Sequence, residues 1–163
     1  MATRNLTKTA LFSALMVICA WLAVPLGDMT FTMQTFGIFL ALLCLGGKWG
    51  TVSILIYLLL GAAGMPVFSG FRGGIGALAG VTGGYLWGFL LSGLTYWALE
   101  KFHKHLAVAA ALAVCYLCGS CWFLFWSGGG FAFVLLRCVA PYILPDALKL
   151  ALAFRIARRL PKN

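Results

Sequence analysis

Apolar runs separated by short turns make up most of this chain. An α-helix needs about 20 mostly apolar residues to cross the hydrocarbon core of a bilayer. The first run is too long for the apolar core of a signal peptide, which spans about 7–15 residues, and further spans follow it. The pattern therefore predicts a series of membrane-spanning helices. The runs cover approximately residues 9–26, 29–45, 49–64, 76–99 and 106–126.

The scarcity of charge agrees with a membrane protein. Only 9% of the residues are charged and 63% are hydrophobic, whereas soluble domains carry about 25% charged residues. Mean hydropathy is +1.02. A length of 163 residues leaves room for about six or seven spans and no large soluble domain. We expect one domain, residues 1–163, folded as an all-α bundle of six transmembrane helices.

The basic residues predict the orientation of the bundle. The net charge is +9, but the cations lie at the ends of apolar runs and do not form the exposed basic face of a nucleic-acid-binding protein, so no nucleic-acid partner is expected. Cytoplasmic loops are enriched in Lys and Arg. An inside N-terminus and C-terminus leave Arg72 and Arg137 outside. That orientation puts nine cations on the cytoplasmic side: Arg4, Lys8, Lys48, Lys101, Lys104, Arg155, Arg158, Arg159 and Lys162.

The turn residues predict where the helices begin and end. We expect the first helix at about Thr7–Leu26 and the fourth at about Gly76–Leu99. Proline suits the first turn of a helix, so we expect the sixth helix to begin near Pro145 and to end at about Arg159. Asp146 would then lie in the first turn, where a carboxylate favours the helix dipole.

Glycines are concentrated between Gly61 and Gly93. Gly76, Gly80, Gly84 and Gly88 are spaced by four, which predicts a smooth helix face. Small-xxx-small faces let membrane helices pack closely, so most of these glycines are expected in helix packing and fewer against a ligand. We expect the glycine-rich connection at residues 65–74 to fold over an outer-facing cavity.

Three charges depart from the topology pattern at the predicted outer face. They are Arg72, Asp146 and Lys149. Ionisable groups in or beside membrane spans are candidates for functional sites. Asp146 and Lys149 share one helix face because they are three residues apart. They form either an ion pair that caps the helix or the polar anchors of a ligand site. In both alternatives the two side chains pair with each other when no ligand is bound.

Cysteines and histidines suggest two chemistries that the sequence does not favour. The triplet Cys115, Cys118 and Cys121 would suit a membrane thiol oxidoreductase using Cys115 and Cys118, but apolar surroundings suppress the reactive thiolate. His103 and His105 provide too few ligands for a metal site. No catalytic constellation can be assembled from three acids and two loop histidines, so neither an enzyme nor a bound cofactor is expected.

Several short motifs together resemble one transporter family. They are Thr-Met-Gln-Thr at 32–35, Gly-Met-Pro-Val-Phe at 64–68, Gly-Gly at 73–74, Thr-Gly-Gly-Tyr-Leu at 82–86, Gly-Phe at 88–89 and Leu-Pro-Asp-Ala-Leu-Lys at 144–149. Over nearly its whole length the chain resembles the BioY family, the biotin-specific substrate-binding components of energy-coupling-factor (ECF) transporters. It departs from the family at Val81, which is usually proline, and at Pro145, which is commonly glycine.

The resemblance implies a high-affinity biotin site at the outer ends of the helices. In it Asp146 accepts the ureido N–H groups, and Lys149 donates to the ureido oxygen or to the carboxylate of biotin. Arg72 is the candidate partner of that carboxylate. The remaining candidates are Tyr85, Phe68 and Phe71 over the apolar part, Gly83 and Gly84 at a close backbone approach, and Thr82 and Gln34, the last of which also suits a helix-end cap. A site for another small vitamin is the alternative.

The resemblance also implies partners in a bacterial cell membrane. The family docks on a transmembrane coupling component, and through it on ABC ATPases, by an Ala-x-x-x-Ala face of the first helix. Ala10 and Ala14 match that face, although small residues there also suit a contact within the bundle. The chain itself lacks a P-loop, because Trp49 follows Gly47-Lys48 where Ser or Thr is required. Membrane lipids would surround the helices.

Overall fold

The fold is a bundle of long helices with one small β-hairpin. The computed structural model describes residues 2–26, 29–128 and 130–160, and the predicted cytoplasmic residue Lys162 lies outside them. Strands β1 (Ala23–Leu26) and β2 (Met29–Thr32) pair antiparallel, with Ala23 opposite Thr32. The helices are α1 (Ala2–Trp21), α2 (Gln34–Ala62), α3 (Ile75–Ala79), α4 (Gly83–Leu99), α5 (Lys104–Ser127), α6 (Phe131–Cys138) and α7 (Ala140–Arg159).

Helix α2 is two antiparallel helices joined by a glycine turn. Gly46 has φ 77° and ψ 170°, a conformation that glycine adopts without a steric penalty. The chain reverses there, and Gly50 packs against the backbone of Leu42 so closely that a Cβ would overlap it. Glu100 fixes the turn by accepting the Gly47 N–H at 2.8 Å. With α2 counted as residues 34–45 and 47–62, the predicted bundle of six long helices is confirmed.

Buried polar contacts tie neighbouring helices together. The Ser13 hydroxyl of α1 donates to the Ser53 carbonyl of α2 at 2.9 Å, and the Ser92 hydroxyl of α4 donates to the Ala111 carbonyl of α5 at 2.7 Å. Such bonds stabilise helix pairs in lipid, where the hydrophobic effect does not drive helices together. Around them lies a continuous apolar core that includes Met16, Ile38, Phe39, Leu42, Ile54 and Tyr96.

Contacts between helix ends define the two ends of the bundle. At one end, Trp21 Nε1 of α1 donates to the Pro66 carbonyl after α2 at 2.9 Å. At the other end, the Glu100 bond to Gly47 joins two predicted cytoplasmic turns, and the His105 ring of α5 stacks on Phe154 of α7 at 4.6 Å. The start of α1 and the end of α7 therefore share one end of the bundle with the Lys-rich turns.

The outer surface of the bundle is apolar, as a lipid environment requires. Large exposed side chains occur on every long helix, with Leu11 65% exposed on α1, Phe125 88% on α5 and Leu144 76% on α7. A soluble monomer rarely exposes such a continuous apolar surface. Of the helices in the described part of the chain, α5 is apolar and long enough to cross a bilayer by length and composition alone, and residues 34–62 reach that length only when the two halves of α2 are counted together.

Three predicted helix limits are wrong. The first helix ends at Trp21 because the chain enters β1. Residues 76–99 are not one helix, because Gly80 is extended with ψ −177° and separates α3 from α4. The last helix begins at Ala140, with Pro141 in its first turn. Pro145 is tolerated inside it because it removes only the bond to the Pro141 carbonyl.

The break at Gly80 also corrects the predicted glycine face. Gly84 and Gly88 lie on α4 and pack against α5, where a Cβ at Gly84 would overlap Trp122 and one at Gly88 would press on Cys115. Gly119 of α5 receives the Tyr85 ring in the same way. Gly76 lies in open space, and Gly80 approaches only the carbonyls of its own short helix. Two of the four glycines therefore serve helix packing.

Candidate ligand cavity

A cavity opens at the bundle end that holds the hairpin and the connection at 65–74. Counted out to its open mouth, it has a volume of about 840 Å³. Small-molecule sites are typically concave and combine apolar walls with a few polar groups. Its walls come from β2, the connection, α4, α5 and α7, so segments far apart in sequence meet there.

The floor of the cavity carries a buried ion pair on α7. Lys149 Nζ lies 2.7 Å from Asp146 Oδ1, and both side chains are almost fully buried. The same Nζ donates to the Thr32 carbonyl at 2.7 Å and lies 4.0 Å from the centroid of the Phe31 ring. The Tyr116 hydroxyl of α5 donates to Asp146 Oδ2 at 2.6 Å. Strand β2, α5 and α7 therefore all contribute to one polar cluster.

The ion pair keeps hydrogen-bonding capacity for a ligand. An ammonium has three N–H donors, and Lys149 uses two of them on Asp146 and Thr32. Each oxygen of a carboxylate accepts about two hydrogen bonds, and the bonds from Lys149 and Tyr116 use one on each. An N–H donor and adjacent acceptor positions therefore remain. Burying two charges carries a desolvation cost, which their mutual attraction and the hydrogen bonds with Thr32 and Tyr116 offset.

A second polar chain supports the cavity beside the pair. Gln34 Nε2 donates to the Tyr57 hydroxyl at 2.6 Å, and that hydroxyl donates to the Val67 carbonyl at 3.2 Å. The Thr32 hydroxyl donates to Gln34 Oε1 at 3.3 Å. Gln34 thus lines the cavity at the start of α2 and links strand β2 to the connection above it.

The connection at 65–74 folds over the cavity as the sequence predicts. Phe68 is buried with its ring edge on Tyr57 at 5.5 Å and its tip against Gly61, where a Cβ would overlap it. Behind it the chain turns tightly, with Gly70 at φ 69°, and the Phe68 N–H donates to the Arg72 carbonyl at 2.9 Å. Arg72 is exposed at the cavity and donates from Nε to the Ser69 carbonyl at 3.2 Å.

Comparison with known proteins assigns the chain to a family. The BioY family model matches residues 1–163. The biotin transporter BioY of Thermotoga maritima is 41% identical over 164 residues, which cover 98% of this chain and 96% of that protein. This chain belongs to the BioY family. The probable biotin transporter BioY of Pyrococcus horikoshii is 40% identical over 163 residues, covering 100% of this chain and 99% of that protein.

A solved structure confirms the fold of this BioY-family chain. The crystal structure of the S-component for biotin from an ECF-type ABC transporter matches with a TM-score of 0.89 and 27% sequence identity. The match covers 97% of this chain and 90% of that one. The family consists of membrane transport components and not of enzymes.

Most of the candidate residues from the BioY motifs lie at the cavity. Asp146, Lys149, Arg72 and Gln34 do so, as described above, and so does Phe68. Thr82 and Tyr85 also line it. The Tyr85 hydroxyl donates to the Cys138 carbonyl at 2.9 Å, so its ring forms a fixed wall between α4 and α6. Leu86, Phe89 and Leu112 complete the apolar side.

Three candidates from the BioY motifs do not line the cavity. Gly83 packs on the Leu78 carbonyl and Gly84 on Trp122, so their close backbone approaches are to protein. Phe71 is 65% exposed and stacks on Trp21 at a centroid distance of 5.1 Å. These residues shape the cavity by holding its walls and do not line it themselves.

Sequence reasoning missed the aromatic partners of the ion pair. Tyr116 directly follows Cys115 in an otherwise apolar run, and the local sequence does not identify the partner of its hydroxyl. Phe31 lies in the hairpin, which the sequence did not predict. Buried tyrosines usually bond through their hydroxyl, so Tyr116 could have been marked as needing a partner.

The cysteine triplet of α5 is distributed around the helix. Cys115 is buried at the cavity beside Gly88, Cys118 is half-buried and Cys121 is exposed. All three are free thiols. The arrangement gives packing positions at the α4–α5 contact, and the family assignment favours transport over the oxidoreductase alternative.

Ala10 and Ala14 lie on the exposed side of α1. Both are exposed, whereas Ser13 between them faces α2 and is buried. The alternative of a contact within the bundle is therefore not observed for these two methyl groups. They form part of an exposed strip of α1.

Proposed function

We propose that this chain is the biotin-binding S component of an ECF-type uptake transporter. The buried Asp146–Lys149 pair at the floor of the cavity is the observation that carries the proposal. A buried ion pair at the bottom of an open cavity, with unused donors and acceptors, suits a polar neutral group better than it suits packing alone. Biotin is the proposed ligand because the relatives are named biotin transporters.

The ureido ring of biotin complements the ion pair. One edge of a cyclic urea presents an N–H donor next to a C=O acceptor. A free acceptor position on Asp146 takes the N–H, and the third N–H of Lys149 donates to the oxygen. Both hydrogen bonds involve a charged group, which makes each stronger than a neutral one.

The remaining walls suit the rest of the molecule. Phe89, Leu86 and Leu112 provide apolar surface for the thiolane ring and the alkyl chain. Arg72 lies in the connection at the mouth and is the proposed partner of the carboxylate, which then points toward the outside. Asp146 and Lys149 are buried and Arg72 is exposed, as expected if the ureido ring binds inside and the carboxylate faces the outside.

We propose an orientation with both termini in the cytoplasm of a bacterial cell, in a multi-pass arrangement. This proposal is supported by the Lys-rich turns, the start of α1 and the end of α7, which lie at the end of the bundle opposite the cavity. The positive-inside rule assigns that end to the cytoplasm. The cavity then opens outward, where biotin is captured.

Transport in this proposal requires partners. The coupling component docks on the exposed strip of α1 around Ala10 and Ala14, and ATPases bound to it supply the energy. Small side chains let a partner helix approach closely in lipid.

Titration calorimetry of the purified protein with biotin tests the ligand. We expect tight one-to-one binding and no heat with thiamine or riboflavin at the same concentrations. Binding of another vitamin in place of biotin would contradict the ligand assignment and leave only the fold and the cavity.

A further inference from the structure

Tyr116 reaches the ion pair from α5, on another wall of the cavity. Its hydroxyl donates to Asp146 Oδ2 at 2.6 Å, while Lys149 donates to Oδ1 at 2.7 Å. The terminal torsion of a carboxylate is otherwise broad. Because each oxygen is held by a different helix, the Asp146 carboxylate cannot rotate without breaking one of these bonds.

We propose that Tyr116 is a positioning residue that fixes the plane of the Asp146 carboxylate for the ureido edge of the ligand. The inference rests on the proposed binding of biotin. Lys149 alone leaves Oδ2 free to turn away from the cavity, because it holds only Oδ1. With Tyr116 in place, the unused acceptor positions of both oxygens keep a constant direction.

The surroundings of Tyr116 support a polar role and not packing alone. Tyr116 lines the cavity, and the partner of its hydroxyl is a buried carboxylate 30 residues away in sequence. Tyr96 of α4 provides a control tyrosine, because it is fully buried in the apolar core and does not line the cavity.

The proposal predicts that Tyr116 acts through Asp146. Tyr116→Phe keeps the ring and removes the hydroxyl, and should weaken biotin binding by about tenfold or more, as expected for a lost bond to a charged group. In an Asp146→Ala background, the same Tyr116→Phe change should weaken the remaining binding by less than about threefold, since nothing remains to be positioned. Tyr96→Phe should leave the affinity within about threefold of the wild type, because Tyr96 lies outside the cavity.

Equilibrium dialysis with radiolabelled biotin measures all five proteins: the wild type, Tyr116→Phe, Asp146→Ala, the double variant and Tyr96→Phe. Strong non-additivity between Tyr116 and Asp146 supports the positioning role. An equal loss in both backgrounds overturns it, because Tyr116 would then act by packing or by touching the ligand itself. An unchanged affinity of Tyr116→Phe also overturns it, with biotin binding left intact. Failure of the wild type to bind biotin overturns the proposed function together with this inference.

Discussion

At the scale of single residues, the central question is whether Asp146 and Lys149 form a ligand anchor or a structural cap. Their contact at 2.7 Å is compatible with both. The two roles predict different effects on stability and on ligand binding when one charge or both charges are removed. One removed charge leaves the other buried without its partner, which costs several kcal/mol of stability. The removal of both charges relieves that penalty but also removes every charged contact to a ligand.

We therefore predict that stability and binding respond differently. Asp146→Asn and Lys149→Met should each weaken biotin binding by about 1.5–3 kcal/mol, roughly tenfold to more than a hundredfold. The double variant should recover part of the thermal stability lost in the single variants while binding biotin no better than they do. Calorimetry and thermal unfolding in detergent provide the two measurements.

Glu100→Gln serves as a control for the loss of a carboxylate. Glu100 accepts the Gly47 N–H at the opposite end of the bundle, so this change should affect stability and spare the affinity. If both single variants at the ion pair bind biotin like the wild type, the pair is only a cap.

The residue scale also shows what local sequence could predict. The Asp146–Lys149 contact follows from a spacing of three on a helix, which is a local relation. The Tyr116 contact depends on how α5 is placed against α7, and no short-range pattern contains that information. Phe71 was misplaced for a related reason. Its backbone has φ 55°, an unusual conformation for a residue other than glycine, and the side chain turns outward to Trp21.

At the scale of elements, the glycines predicted one turn correctly and one helix face wrongly. The adjacent pair Gly46 and Gly47 predicted a turn, and the structure has a chain reversal there. The series with a spacing of four predicted one continuous helix face, but Gly80 interrupts it. The hairpin was missed because short apolar runs of four residues do not distinguish a strand from the end of a helix.

The exposed face of α1 gives a prediction at this scale. Ala10→Trp together with Ala14→Trp should abolish co-purification with the coupling component and leave the affinity for biotin unchanged, because neither methyl group faces the cavity. Ala109 and Ala113 on α5 have the same spacing and are also exposed. The same two tryptophans placed there are the matched control.

Pull-down of the coupling component from native membranes measures the docking, and dialysis measures the binding. Unchanged co-purification of the α1 variant would contradict the docking role. Equal loss in both double variants would point to a general effect of bulk on membrane assembly.

At the scale of the whole molecule, the arrangement of the two ends predicts accessibility from each side of the membrane. In a cysteine-free background, a cysteine at Ser127 should react with a membrane-impermeant maleimide in intact spheroplasts, because Ser127 ends α5 at the cavity end. A cysteine at His103 should react only after lysis, because it precedes α5 at the opposite end. The reverse pattern would invert the proposed orientation.

The reversal at Gly46 determines how deep the cavity floor lies. Residues 34–45 form the first half of α2, which is about 18 Å long at 1.5 Å per residue. The hydrocarbon core of a bilayer is about 30 Å thick. In the proposed orientation, with Gly46 at the inner boundary of an untilted bundle, Gln34 lies roughly 12 Å below the outer boundary. Because Gln34 lines the cavity, the proposed ligand would in that orientation bind below the outer headgroups, and part of its path across the membrane would be the cavity itself.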